Sequence, residues 1–348
     1  ILSFTRKSAQ EIAERIKIES SGLPEAKKMT GSTFHSWCME LIMRYSDAFG
    51  LQGYSCIDED DRETAIKLVI GRLYGGKKEI KLKGKNGGRL KASTISEVYS
   101  YSINTRCNLT TAIKAKIYPL MHGEEIDKLV EEARVVITEI IKGYIEYKVE
   151  HRYLDYDDML SAVATLLKKN EKLRNLIAAQ YDHILVDEMQ DTNPLQWMLL
   201  ESFFDNCHLF CVGDDAQSIY AFRGADFQSV HSFKQRVPDA LVYKLEENYR
   251  STQEILDLSN WLLDESPLCY DKKLHAYRGT GLMPEMHVVD GDWEEAEFVT
   301  EDILDNIEEG KFYRDHMVLT RSAYLARKVE AACISKKIPY QLFGGTGL

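Results

Sequence analysis

Residues 183–193 read HILVDEMQDTN, an apolar run (Ile184, Leu185, Val186) that stops at two adjacent carboxylates, Asp187 and Glu188. A second segment has the same form: LFCVGDD, residues 209–215, ends in Gly213, Asp214 and Asp215. In open parallel sheets ligands gather beyond the carboxyl ends of the strands. An aspartate there can hold Mg²⁺ directly or through water, and a glutamate beside it can orient an attacking water. That is the chemistry of nucleoside triphosphate hydrolysis. The alternative is an acidic surface turn or a helix cap, and these residues alone leave both open. The second segment continues AQSIYAFRGA, which brings Gln217, Tyr220, Phe222 and Arg223 within seven residues. LEENYRST, residues 245–252, adds Tyr249 and Arg250. Arginine presents a fork of donors suited to phosphate oxygens, and aromatic rings are platforms on which bases stack. For Tyr220 and Phe222 ordinary core packing is the competing reading.

These residues need strands to carry them. ILSFT reads as a strand leading into a helix from Ser8, with Ala9, Ile12, Ala13 and Ile16 at helical spacing and a Ser8/Glu11 capping-box pattern. A second helix follows GSTFHSW, with Phe34, Trp37, Cys38, Leu41 and Tyr45 on one face. Residues 60–155 read as helical around a Gly- and Lys-rich interruption. From about 155 a βα rhythm returns: strand 183–187, helix 194–204, strand 208–212, helix near 226–236 and strand 240–245. After about 285 come MPEMHVV, a helix in EEAEFVTEDILDNIEE, HMVLT, a helix at 322–336 and a last strand in PYQLF. Parallel βα units broken by a helical block imply an α/β domain with an insertion, followed by part of a second α/β domain.

The 348 residues carry a net charge of −11, so any nucleic-acid contact has to rest on a local basic track. Seven cysteines are scattered without a CxxC pair, which fits reduced thiols in a cytoplasmic protein. Cys207 and Cys211 flank His208, but the strand HLFCV favours core packing over metal ligation. No apolar run reaches the roughly 18 residues of a membrane span, and no signal peptide is evident. The first residue is Ile1 and ILSFT begins mid-strand, which reads as a chain truncated upstream.

Taken in order, these segments resemble the UvrD/Rep-type superfamily 1 DNA helicases. ILSFTRKSAQEIAERI resembles motif Ia, STFHSW motif Ib, LDYDDML the acidic motif before the Walker B strand, and HILVDEMQDTN motif II. VGDDAQSIYAFRGA resembles motif III, LEENYRST motif IV, and the residues from VLTRSAYLARKVEAACISKK onward the opening of the second motor domain. The resemblance implies an α/β RecA-like parallel-sheet motor domain of the P-loop NTPase type, with a helical insertion domain and part of a second RecA-like domain. Motor domain 1A would comprise 1–58 and 152–280, insertion domain 1B 59–151, and the partial domain 2A 281–348. It implies a 3′→5′ ATP-dependent translocase acting on single-stranded DNA and single-strand/duplex junctions, with ATP and Mg²⁺ as cofactors. Asp187 matches the Mg²⁺ aspartate, Glu188 the general base and Gln217 the γ-phosphate sensor. Arg223 and Arg250 match γ-phosphate ligands, and Tyr249 the residue that stacks on adenine. Phe4, Thr33, His35, Tyr220 and Phe222 match positions lining the single-strand groove, although a capping or core role competes for His35. Phe222 stands where tryptophan is also common, Arg6 where the family often has asparagine, and Met189 where it often has tyrosine or phenylalanine.

The family's phosphate loop, GxxxxGK[ST], is not found. GRLYGGK at Gly71–Lys77 matches seven positions, but Lys78 replaces the hydroxyl residue and RETAIKLVI before it reads as a helix. Motifs V and VI are also missing beyond GGTGL. The resemblance therefore implies a helicase core lacking both ends, from which turnover by residues 1–348 alone is not expected. A catalytically inactive scaffold with the helicase fold is the alternative. A metal-dependent nuclease is a weaker third, since it leaves Gln217, Arg223 and Arg250 without a task.

From Arg72 to Lys91 there are eight basic residues against one acid, Glu79. A solvated loop is the simple reading; a phosphate track gripping duplex ahead of the motor is the functional one. On the functional reading, neutralising several of these lysines lowers duplex affinity and flattens its salt dependence in a titration. Unchanged values leave only the loop.

Overall fold

Four short parallel strands carry the first part of the chain. In the computed structural model, which describes residues 1–348 apart from 84–87, 222, 223, 226, 227, 238, 267–271 and 344–348, residues Ile1–Lys244 and Leu245–Leu348 form separate compact units.

In the first unit β1 (Leu2–Ser3) leads into helix α1 (Arg6–Glu19), which crosses to β2 (Ser32–Thr33) and on to α2 (Phe34–Arg44). The expected cap at Ser8 is displaced. Thr5, in extended backbone, accepts a hydrogen bond from the Ser8 amide at 3.0 Å, so the helix starts two residues earlier and the Ser8 hydroxyl is released for other use. Strand β2 approaches α1 closely because Gly31 has no side chain; a Cβ there would lie 2.1 Å from the Ala9 carbonyl oxygen. Phe34, Trp37, Cys38 and Leu41 of α2 are buried as their spacing predicts, joined by Ile42.

Between β3 (Ser55–Cys56) and β6 (Tyr153–Leu154), which pair in parallel where the chain leaves and returns, lies the helical insertion. It comprises α3 (Glu59–Leu73), the hairpin β4 (Ile80–Lys81) and β5 (Arg89–Leu90), then α4 (Ala92–Thr105), α5 (Leu109–Ile117) and α6 (Glu124–His151). Ile66, Ile70, Ile95, Ile113, Ile137 and Ile140 give it a core of its own. Gly71 lies inside α3, so GRLYGGK is a helix end and a turn. The Lys/Gly stretch is not wholly a solvated loop. Ile80, Leu82 and Leu90 are buried while Lys81 and Lys83 face solvent, a period-two alternation that anchors an antiparallel hairpin and turns its basic side outward.

After β6 come α7 (Tyr156–Lys169), α8 (Glu171–Ala178), β7 (His183–Val186), α9 (Pro194–Glu201) and β8 (His208–Cys211). The strands are ordered β2-β1-β7-β8, all parallel, with Leu2 opposite Val186 and Val186 opposite Cys211. Ile184 and Val186 point into a core shared with α2, α7 and α9, where Trp197 is fully enclosed. Pro194 occupies the first turn of α9, and Asn193 with Gln196 completes a capping box. The helix expected near 226–236 consists of two four-residue turns, Gln228–His231 and Phe233–Arg236.

In the second unit β9 (Glu247–Asn248) pairs in parallel with β10 (His275–Ala276) around α10 (Gln253–Asp264). Helices α11 (Asp292–Glu308) and α12 (Ala323–Ser335) pack through Ile303 and Cys333, with Ile338 completing the cluster. The strands expected at 240–245, in MPEMHVV, in HMVLT and in PYQLF form no ladder among the described residues. Val288 and Leu319 are 86% and 85% exposed. Strand propensity is a preference for a pleated, half-buried surface, and without a hydrogen-bonded neighbour it fixes no strand. Among the described residues no helix is long and apolar enough to cross a membrane.

Insertion and sheet are stitched together by buried polar groups. Lys148 Nζ reaches Asp155 at 2.7 Å, Tyr99 at 3.0 Å and Asp158. Arg62 donates to Asp157 at 2.7 Å, Asn104 donates to Asp157 at 2.6 Å, and Asn193 donates to Asn104 at 3.0 Å. Burial by itself would raise Asp155, but the charge and hydrogen bond of Lys148 hold its carboxyl below the ordinary value. Burial, and then the charge of Asp155, push Asp158 up. Removing one partner of a buried pair strands the other charge and typically costs about 3–5 kcal/mol. Lys148→Met is therefore expected to lose about that much stability in urea unfolding at neutral pH; a loss under about 1 kcal/mol would show the cluster to be solvated.

Candidate active site

Register decides what meets the carboxylates. Because Leu2 pairs with Val186, Ser3 comes to lie beside Asp187, whose amide donates to the Leu2 carbonyl at 2.9 Å. The Asp187 carboxylate is then held by two hydroxyls from separate elements: Ser3 Oγ donates to Oδ2 at 3.1 Å and Ser8 Oγ to the same oxygen at 3.2 Å. Both bonds fall on one oxygen.

Glu188 follows with left-handed backbone, φ 51° and ψ 45°. An L residue with a branched-off side chain adopts this region at a cost, and such outliers concentrate at functional turns. Its exposed carboxylate accepts from Gln190 Nε2 at 2.7 Å. Gln190 Oε1 in turn accepts from the Asp214 amide at 3.0 Å, and Met189 N donates to the Val212 carbonyl at 2.9 Å. The turns after β7 and β8 are thereby joined. Asp214 caps the short turn Asp215–Gln217 and accepts from Gln217 Nε2 at 2.8 Å. Gly213 leaves room for this: a Cβ would sit 2.6 Å from Met189 Cγ and 2.7 Å from Gln190 Oε1.

Aromatic and hydroxyl groups line the same edge of the sheet. Phe4, just beyond β1, packs its ring on Tyr220 with centroids 5.0 Å apart and 32° between planes. Thr33 caps α2, accepting from the Ser36 amide at 3.2 Å, and Arg6 Nε donates to Ser36 Oγ at 3.1 Å. His35 sets its ring edge-on to Tyr156 at 5.8 Å. Burial pushes the His35 imidazole below its ordinary value, with the charges of Asp157 and Glu59 opposing it.

Of the expected site residues, Asp187, Glu188 and Gln217 are brought onto two linked turns, and Phe4 meets Tyr220. Phe222 and Arg223 lie outside the described residues. Tyr249 and Arg250 lie in the second unit, where the Tyr249 ring packs tilted against Tyr277 with centroids 4.7 Å apart and its hydroxyl donates to Glu247, and the Arg250 amide donates to Asn248 Oδ1 at 2.9 Å. Sequence reasoning missed Ser3, Ser8 and Gln190. Ser8 reads locally as part of a helix cap, Ser3 is legible only from strand register, and nothing local in the sequence singles out Gln190.

A hard cation that keeps several waters is bound by one or two carboxylates plus substrate phosphates. Asp187 suits that use, since its hydroxyl partners share Oδ2 and no described bond engages Oδ1. No group of three or more His, Cys, Asp or Glu that could cage a metal occurs among the described residues.

Asp191 lies one turn beyond Glu188 and is 8% exposed, with Oδ1 buried and without a hydrogen-bond partner among the described residues. Burial, and then the charge of Glu188, raise its carboxyl to about 6. A folded-state value above the unfolded one means that the native state binds the extra proton, so stability is lost as pH rises through that value. Asp191→Asn removes the ionisation. It is expected to raise the melting temperature relative to the parent at pH 8 but hardly at pH 4; an equal shift at both would show that Asp191 is not protonated on folding.

Residues 1–238 match the family described as the UvrD/REP helicase N-terminal domain, and residues 243–348 the UvrD-like helicase C-terminal domain. Among curated relatives, an ATP-dependent DNA helicase Rep of Buchnera aphidicola is 31% identical over 344 residues, covering 98% of this chain and 50% of the relative. A probable DNA helicase II homolog of Mycoplasma capricolum is 29% identical over 357 residues, covering 99% of this chain and 45% of the relative. An ATP-dependent DNA helicase PcrA of Staphylococcus epidermidis is 29% identical over 348 residues, covering 99% and 44%. The chain thus spans about half the length of the curated relatives it matches. With both family matches in chain order and a parallel α/β sheet that is the RecA-like fold, the chain belongs to the UvrD/Rep helicase family.

Proposed function

We propose that the chain carries the nucleotide-hydrolysing edge of an ATP-dependent 3′→5′ DNA helicase that moves along single-stranded DNA and opens single-strand/duplex junctions. The observation that carries the reading is the pair Asp187 and Glu188 at the carboxyl end of β7, joined through Gln190 to the turn bearing Gln217. Polarity follows from the motif resemblance.

In this reading Asp187 holds Mg²⁺, whose charge offsets that developing on the transferred phosphoryl group. Glu188 orients and deprotonates water, and Gln217 reports the γ-phosphate to the nucleic-acid edge. Arg223, Tyr249 and Arg250 contact the nucleotide. Phe4, Thr33, His35, Tyr220 and Phe222 contact the strand, with Phe4 and Tyr220 as the stacking pair. Motor domain 1A is read as 1–58 with 152–280, insertion 1B as 59–151 and motor domain 2A as 281–348. The compact unit ends at Lys244, so residues 245–280 join domain 1A on motif grounds.

Residues 1–348 contain no GxxxxGK[ST] match, so the test uses the full-length gene product. Glu188→Gln is expected to lower DNA-stimulated ATP hydrolysis by roughly 10²–10⁴-fold while nucleotide and single-strand affinities hold. Turnover within a few-fold of the parent would remove Glu188 as the base. A full-length parent that binds DNA but hydrolyses no ATP would favour the scaffold.

A further inference from the structure

We propose, resting on the reading just given, that Gln190 is a positioning residue for hydrolysis: its side-chain amide fixes the Glu188 carboxylate and ties it to the turn that carries Gln217. Gln190 is 1% exposed although it sits in a polar turn beside an exposed glutamate. Its two ends serve opposite partners. Nε2 donates to Glu188 Oε2 at 2.7 Å, and Oε1 accepts from the Asp214 amide at 3.0 Å. A carboxylate only accepts and an amide N–H only donates, so the orientation of the side chain is set without ambiguity. Glutamate at 190 would keep the acceptor end and lose the donor; a thioether would lose both.

The backbone of Gln190 is pinned too, since its carbonyl accepts from Ser218 Oγ at 3.2 Å. Gly213 closes against the amide, where a Cβ would lie 2.7 Å from Oε1. The result is a continuous chain, Glu188–Gln190–Asp214–Gln217, crossing from the turn after β7 to the turn after β8. Asp187 is held separately by Ser3 and Ser8. Gln190 therefore acts on the base and not on the cation ligand. An exposed glutamate without this bond samples several rotamers, of which only some face a bound phosphate.

The test compares Gln190→Met, Gln190→Glu, Glu188→Gln and the double variant Glu188→Gln/Gln190→Met in the full-length protein. At saturating DNA kcat and KM for ATP are measured separately, and melting and single-strand binding report folding. Loss of a group that orients a catalytic partner typically costs about 10–100-fold. Gln190→Met is expected to lower kcat by that factor with KM for ATP nearly unchanged. It should add little further loss on the Glu188→Gln background, because both act through one carboxylate. Gln190→Glu keeps the acceptor end and loses the donor, so it is expected to lower kcat at least as far, again with KM for ATP nearly unchanged. A kcat within about threefold of the parent in both single variants overturns the proposal, as do losses that multiply with Glu188→Gln or fall on KM. If Gln190→Met melts early, the division of the Gln190→Glu loss between kcat and KM decides. An active Glu188→Gln sinks the assigned base itself; an inactive Glu188→Gln beside an active Gln190→Met sinks only this inference.

Discussion

Parallel strands cannot be joined by a tight turn; each return to the same edge needs a crossover. That constraint shapes residues 1–244. Between β1 and β2 the crossover is α1, and between β2 and β7 it is a path of about 150 residues into which the helical insertion fits. Since every strand of the sheet runs the same way, every strand delivers its last residue to the same edge. Phe4, the start of α2, Asp187 and Gly213 are far apart in sequence, and the topology alone assembles them.

Much of this was legible in the residues. The run Ile184–Val186 before two acids marked β7, and the 3.6-residue spacing of Phe34, Trp37, Cys38 and Leu41 marked α2. Pro194 after Asn193 marked a helix start to the residue. What was hidden depended on partners distant in sequence. A serine three residues before a glutamate looks like a cap in isolation, yet the extended backbone of Thr5 took that role and left Ser8 to face Asp187. Ile80, Leu82 and Leu90 looked incidental in a basic, glycine-rich stretch, and only the insertion's core shows them to be anchors of a hairpin. Apolar runs in the second unit read as strands because local preference does not know whether a neighbour is present.

The first unit treats its acidic groups in two ways. Asp155 and Asp157 are removed from water, Asp158 partly so, and they are matched by Lys148, Arg62 and Asn104, an arrangement that favours one geometry over others. Asp187 and Glu188 are left partly or fully exposed and are held by neutral donors, Ser3, Ser8 and Gln190. Neutral hydrogen bonds orient a carboxylate without cancelling its charge, so it stays available to a cation or a water. Asp191 belongs to neither class, buried beside Glu188 with no cation bonded to it among the described residues.

The chain Arg62–Asp157–Asn104–Asn193 has a bearing on modularity. Arg62 and Asn104 come from the insertion, Asp157 and Asn193 from the body that holds the sheet. An insertion with its own core could behave as a detachable cassette that melts and refolds by itself. Here its excision would leave Asp157 and Asn193 without their buried partners, and its local unfolding would do the same. Opening the insertion therefore carries the desolvation cost of the groups it abandons in the body, one of them the amide of Asn193, whose other atoms cap the helix directly behind the carboxylate turn.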